Sequence, residues 1–123
     1  MAKRILIAED SSVILNLTKK ILEQEHYTVS TAKNGEEVIN KVEGEVFDLI
    51  LMDINMPIID GMECTKRIRS MNNDAKANIP IFAITGNARN YSEEEFKDVG
   101  INEYLQKPLN FDALVTLVND YTS

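Results

Sequence analysis

Leu49-Ile50-Leu51-Met52 is an unbroken run of large apolar residues that ends abruptly in a carboxylate, Asp53. Phe47 precedes the run, and Ile54-Asn55-Met56-Pro57 follows it, with a proline that can neither extend a strand nor sit inside a helix. A short apolar segment between such breakers predicts a β-strand buried on both faces. In open α/β sheets the C-terminal ends of such strands form the crevice where ligands bind. Taken alone, Asp53 reads as a strand-end carboxylate capping the next turn. Its meaning depends on what else reaches that edge.

The same reading applies along the chain. Arg4 to Ala8 predicts a first strand that ends in Glu9-Asp10, and Ser11 and Ser12 can cap the following helix. In that helix Val13, Leu17 and Ile21, with Ile14 alongside, repeat at helical spacing and are expected to face the core. Tyr27 to Ala32 alternates and is rich in Thr and Val, which predicts a second strand. Val38, Ile39 and Val42 mark a short helix after Asn34-Gly35, and the strand ending at Asp53 follows. Asp60-Gly61 opens a third helix with Met62, Cys64, Ile68 and Met71 inward, and polar Asn72 to Asn78 predicts a loop. Ile79 to Thr85 is a fourth strand. Ser92 to Glu95 has the form of a capping box ahead of Phe96 and Val99, and Gly100 ends that helix. Glu103 to Gln106 is a fifth strand, and Phe111, Leu114, Val115 and Val118 line one face of the last helix.

Five strands alternating with five helices require parallel strands, because each crossover occupies a helix length and covers one face of the sheet. The expected fold is a doubly wound (βα)5 α/β domain over residues 1–123. Its strand order, 2-1-3-4-5, places the two acid-tipped strands side by side where the winding reverses.

Composition narrows the function. The chain has 123 residues, 44% of them hydrophobic, enough for one core. A net charge of -7 argues against direct nucleic-acid binding, which needs clustered Lys and Arg. No stretch approaches the roughly 18 apolar residues of a membrane span, and the N-terminus lacks a signal-peptide apolar core. The single cysteine, Cys64, cannot form an internal disulfide and is expected in the core. His26, the single histidine, is expected on a surface turn. These features predict a soluble cytoplasmic domain.

Glu9-Asp10, Asp53, Thr85 and Lys107 would then share one crevice. Carboxylates that close repel one another unless a cation is present, and Mg²⁺ takes an octahedron of oxygens from carboxylates, waters and phosphate. Asp10 and Asp53 could bind it directly, Glu9 through water, and the Asn55 carbonyl lies just beyond. With Lys107 and the Thr85 hydroxyl, this is a receptor for a transferring phosphoryl group, whose charge spreads over its equatorial oxygens. Asp53 is the expected nucleophile and phosphoacceptor.

Glu9-Asp10, Met52-Asp53-Ile54-Asn55-Met56-Pro57, Asp60-Gly61, Thr85-Gly86, Tyr104 and Lys107-Pro108 occur in that order. On these residues the whole chain resembles the receiver domains of two-component response regulators, of the chemotaxis-regulator, flavodoxin-like type. The resemblance implies Mg²⁺-dependent transfer from a phosphohistidine, on a histidine kinase or histidine phosphotransfer domain, to Asp53. It implies a cis bond before Pro108, and a switch in which Thr85 and Tyr104 rearrange and alter a face for a downstream protein partner. That face would be built from the fourth expected helix, the fifth strand and the last helix, with Ala88 to Phe96 as its mobile edge. Asn55 and Asn87 are expected to tune hydrolysis. Such a domain catalyses only its own phosphorylation and dephosphorylation. Departures are Glu9, where Asp is common, and Gly86, where Ala is common. With no output domain attached, the stretch is expected either to act alone by docking to its target or to be a piece of a hybrid kinase or larger regulator.

Alternatives are an aspartyl-nucleophile phosphatase, a flavodoxin-like cofactor carrier and a phosphorylation-independent scaffold. The first would place a second acid two residues after the nucleophile, where Asn55 stands. The second would need a phosphate-cradling loop where Glu9-Asp10 would repel phosphate.

Overall fold

The computed structural model describes residues 2–86 and 91–123. Its strands are β1 (Arg4–Ala8), β2 (Thr28–Ala32), β3 (Leu49–Asp53), β4 (Ile81–Thr85) and β5 (Glu103–Gln106). The helices among the described residues are α1 (Ser12–Gln24), α2 (Gly35–Gly44), α3 (Gly61–Arg69), α4 (Asp74–Ala77), α5 (Glu93–Val99) and α6 (Phe111–Thr122). Every strand pair is parallel, and the sheet runs β2-β1-β3-β4-β5, the order expected.

The period-two geometry of a strand divides the core into two layers. Leu6, Ala8, Ile50, Met52, Ile81 and Ala83 pack with Val38 and Val42 of α2, Cys64 and Ile68 of α3, and Phe96 of α5. Ile5, Ile7, Leu49, Leu51, Phe82 and Ile84 pack on the other face with Leu15 and Leu22 of α1 and Leu114 and Val118 of α6. Burying each large aliphatic side chain is worth about 1.5–3 kcal/mol, so the three central strands, buried along their whole apolar runs, are a large source of hydrophobic stabilisation. This is why their sequences are unbroken apolar runs, while edge strand β5 alternates between half-buried and exposed residues.

Each helix starts at a side chain that accepts a hydrogen bond from the first turn: Ser11, Asn34, Asp60, Asn73, Ser92 and Asn110. Ser92 and Glu95 form the expected reciprocal capping box.

Two expectations are corrected. The Asn72–Asn78 loop contains α4, a single turn capped by Asn73, which brings the helices among the described residues to six; its four residues, Asp74-Ala75-Lys76-Ala77, are too few to show an apolar repeat. In α1 the buried residues are Leu15, Thr18 and Leu22, whereas Val13 is 78% and Leu17 46% exposed. Thr18 can face the core because its hydroxyl donates to the Ile14 carbonyl at 2.8 Å, satisfying it within the helix. A buried threonine concealed the true face.

One long-range anchor had no sequence signal. Arg69 donates to the carbonyls of Gly100 (3.0 and 2.7 Å) and Ala77 (2.8 Å) and to Asn102 Oδ1 (3.1 Å). Asn102 Oδ1 also accepts from the Ile81 N–H at 2.8 Å, so one guanidinium joins α3, α4 and the starts of β4 and β5.

Candidate functional site

Parallel strands deliver their C-terminal ends to one edge, and the ends of β1, β3, β4 and β5 meet there. The Glu9 N–H bonds to the Ala32 carbonyl at 3.0 Å, extending the β1–β2 ladder by one residue and fixing where Glu9 and Asp10 emerge. Glu9 and Asp53 are buried, whereas Asp10 is exposed. One carboxylate oxygen from each of the three lies within 4.8 Å of the others.

Asp53 Oδ1 accepts the Asn55 N–H at 3.0 Å, and Asp53 Oδ2 lies 3.4 Å from Lys107 Nζ. Lys107 Nζ is nearer Glu9 Oε1, at 3.0 Å, but that oxygen has no hydrogen bond of suitable geometry, so the contact is an ion pair. Glu9 Oε2 accepts weakly from the Ser11 N–H at 3.4 Å. Burial, reinforced by the neighbouring Asp53 carboxylate, raises the pKa of Glu9 despite Lys107. Burial on its own would lower that of Lys107; the Glu9 and Asp53 carboxylates outweigh it, and the net direction is up. One ammonium thus faces three acids.

That imbalance suits a hard divalent cation. Oxygens around Mg²⁺ at about 2.1 Å lie about 3.0 to 4.2 Å apart, so acids clustered this closely can share one ion, directly or through water. The buried Glu9 Oε1, ion-paired with Lys107 but without a hydrogen bond, retains acceptor capacity on the side of the cluster.

Thr85, buried, ends β4, and its carbonyl accepts the Lys107 N–H at 2.8 Å. The Lys107–Pro108 peptide is cis, as expected. Among the described residues, a Cβ at Gly86 would meet only Lys107 Cδ, at 3.9 Å. Gly61, by contrast, is required by close approach: a Cβ there would lie 2.7 Å from the Asp53 carbonyl oxygen.

Tyr104 lies opposite Ala83 of β4, one alternation short of Thr85, and is 39% exposed. Its ring stacks on Phe96 of α5 (5.5 Å between centroids, 23° between planes), and its hydroxyl donates to Glu93 Oε1. Asn87 and residues 88–90 of the expected mobile edge lie outside the described residues. Cys64 is buried in the core, with its thiol pushed up to about 12 by burial. His26 is exposed at the turn before β2, at the opposite end of the sheet.

Three features escaped the sequence reading. Val13, Ile14 and Leu17 border an apolar cleft of about 210 Å³ with Lys107, Pro108, Leu109 and Phe111, beside the acids. Ile58, in the loop after Asp53, is 72% exposed at φ 72°, in a tight turn closed by Ile59 N–H to the Pro57 carbonyl at 2.9 Å. A β-branched residue is disfavoured there, so nothing in the sequence pointed to it. The third is Glu93, one of three consecutive acids with nothing to single it out.

The family model for the response regulator receiver domain matches residues 5–119. The CAI-1 autoinducer sensor kinase/phosphatase CqsS of Vibrio cholerae is 37% identical over 116 residues, covering 94% of this chain and 17% of that protein. Among curated relatives the chain spans between 5% and 17% of their length. The receiver domain of sensor histidine kinase PA1611 from Pseudomonas aeruginosa PAO1, with a magnesium ion coordinated in its active site cleft, is 30% identical. It superposes with a TM-score of 0.89 over 99% of this chain and 98% of that one. The response regulator TrrA of Thermotoga maritima, in complex with Mg²⁺ and BeF, is 34% identical, with a TM-score of 0.84 over 97% and 98% of the two chains.

Proposed function

The chain belongs to the response regulator receiver domain family of two-component systems, and on that premise we propose that residues 1–123 act as one phosphoacceptor domain with Asp53 as its acceptor. The observation that carries this reading is the buried Asp53 carboxylate held between the Asn55 N–H and Lys107, within one cluster of acids.

In this reading an Asp53 carboxylate oxygen attacks the phosphorus of a phosphohistidine on a histidine kinase or phosphotransfer domain. The P–N bond breaks, its electron pair stays on the imidazole, and that ring takes up a proton as it leaves. Lys107 offsets charge on the phosphoryl oxygens and Thr85 donates a hydrogen bond to one of them. Asp10, Asp53 and the Asn55 carbonyl would hold Mg²⁺, with Glu9 acting through water, and the ion would supply positive charge that lets the acids and the phosphoryl group coexist. The domain catalyses its own phosphorylation and dephosphorylation and no other reaction, and Asn55 and Asn87 flank the path of the hydrolytic water.

A protein donor must cover the mouth of the site, and the apolar cleft at Val13, Leu17 and Pro108 adjoins Lys107. We assign it to a helix of the phosphohistidine-bearing partner. Phosphorylation then draws Thr85 toward the phosphoryl group and lets Tyr104 turn inward, changing the face formed by α5, β5 and α6 for a downstream protein. The net charge of -7 favours a partner other than nucleic acid. No helix among the described residues is long and apolar enough to cross a membrane; the cytoplasm, where histidine kinases present their phosphohistidine, is the compartment this reading requires.

The test is incubation with Mg²⁺ and a small acyl phosphate. One site should be labelled, and Asp53→Asn should remove the label. Full labelling of the variant would show the acceptor to be another residue.

A further inference from the structure

The three acids that open α5, Glu93, Glu94 and Glu95, do different work. The Glu95 side chain is occupied by the Ser92 capping box, through a 3.1 Å bond from the Ser92 N–H. Glu93 instead accepts the hydroxyl proton of Tyr104, from the neighbouring strand β5. The same tyrosine ring lies on Phe96, three residues further along α5. An exposed tyrosine hydroxyl needs no protein acceptor, since water serves. Here it has a carboxylate at one end and an aromatic ring beneath it, both from one helix.

We propose that Glu93 is a positioning residue of the switch: its carboxylate holds Tyr104 in the outward arrangement and so sets how readily the phosphorylated arrangement is reached. This rests on the phosphoacceptor reading above for its consequence, but the contact itself is independent of that chemistry. A bond present in one of two arrangements biases the equilibrium against the other, and whatever favours the other must overcome that bias. For an exposed charge-assisted bond the bias is modest, on the order of two- to fivefold in an equilibrium constant.

The experiment uses the whole chain with ring-labelled tyrosines. In the unphosphorylated protein Glu93→Ala should move the Tyr104 ring resonances and leave those of Tyr27 and Tyr121 in place. Glu93→Gln keeps a carbonyl acceptor and should restore most of the original position. In titrations with Mg²⁺ and beryllofluoride, Glu93→Ala should lower the midpoint about two- to fivefold, and in a Tyr104→Phe background it should change nothing. Unmoved Tyr104 resonances would overturn the proposal, as would an equal midpoint shift in both backgrounds. A chain that binds no beryllofluoride would overturn the phosphoacceptor reading and the threshold role with it, while the tyrosine spectra would still decide the contact.

Discussion

Lys107 Nζ lies 3.4 Å from Asp53 Oδ2, joining residues 54 positions apart in the sequence. The contact depends on the parallel sheet: β3 carries Asp53 to the edge, and the Lys107 N–H is pinned to the end of β4 through the Thr85 carbonyl. The ammonium is the fixed cation of the site and is shared with Glu9. Because both carboxylates raise its pKa beyond what burial takes away, it stays charged across the neutral range.

Removing that charge should slow phosphoryl acceptance by about 10²-fold, the scale of losing one preorganised electrostatic partner. Lys107→Met is the variant, and initial rates with a small acyl phosphate are the measurement. Lys107→Arg should recover part of the rate, since it keeps the charge but presents a wider planar group. An unchanged rate in Lys107→Met would remove the lysine from the mechanism.

The exposed apolar residues of α1 give a prediction that separates docking from chemistry. Leu17→Asp should reduce transfer from a phosphohistidine protein about tenfold, as loss of an interface anchor does. Acceptance from a small acyl phosphate should stay as it was. Equal effects on both donors would mean that α1 supports the site itself rather than a partner.

Most of the fold was legible because the central strands are buried on both faces and must be apolar throughout, as Ile5 to Ala8, Leu49 to Met52 and Ile81 to Ile84 are. The acids that interrupt those runs mark the edge, so Glu9, Asp10 and Asp53 could be grouped before any coordinates. The face of α1 was not legible: Val13 and Leu17 are apolar at helical spacing yet exposed, bordering the cleft beside Lys107 and Pro108 rather than facing the core. Nor was Ile58, whose left-handed backbone comes from the turn around it rather than from its own preference. The bond between Glu93 and Tyr104 joins two elements whose facing is set only by packing, so no local pattern encodes it.

Two glycines near the site should respond in opposite ways to the same substitution. Gly61→Ala places a Cβ 2.7 Å from backbone oxygen of Asp53, and overpacking of this kind costs about 1–3 kcal/mol. Gly86→Ala meets a side-chain carbon at an ordinary 3.9 Å and should leave both stability and phosphorylation close to unchanged. Denaturant midpoints for the two variants decide the matter; equal midpoints would contradict the packing around Asp53.

The Cys64 thiol supplies a pH dependence. Burial holds its pKa up near 12 in the folded chain, against about 8.5 for a free cysteine. As pH rises, the unfolded chain loses this proton first, so the group's stabilisation is full below about pH 8.5 and drains away between there and about 12. At pH 8 the folded protein should react with iodoacetamide at least about 10²-fold more slowly than the unfolded chain. Comparable rates would place the thiol at the surface.

The central claim is that a cluster of acids becomes a phosphoryl acceptor when a divalent cation joins it. The most direct measurement is peptide mapping of the modified residue after reaction with a small acyl phosphate, with Mg²⁺ and again with the metal chelated. The account predicts one modified side chain, Asp53, in the presence of the ion and none in its absence. A modification elsewhere, or one at Asp53 that forms equally well without the ion, would contradict it.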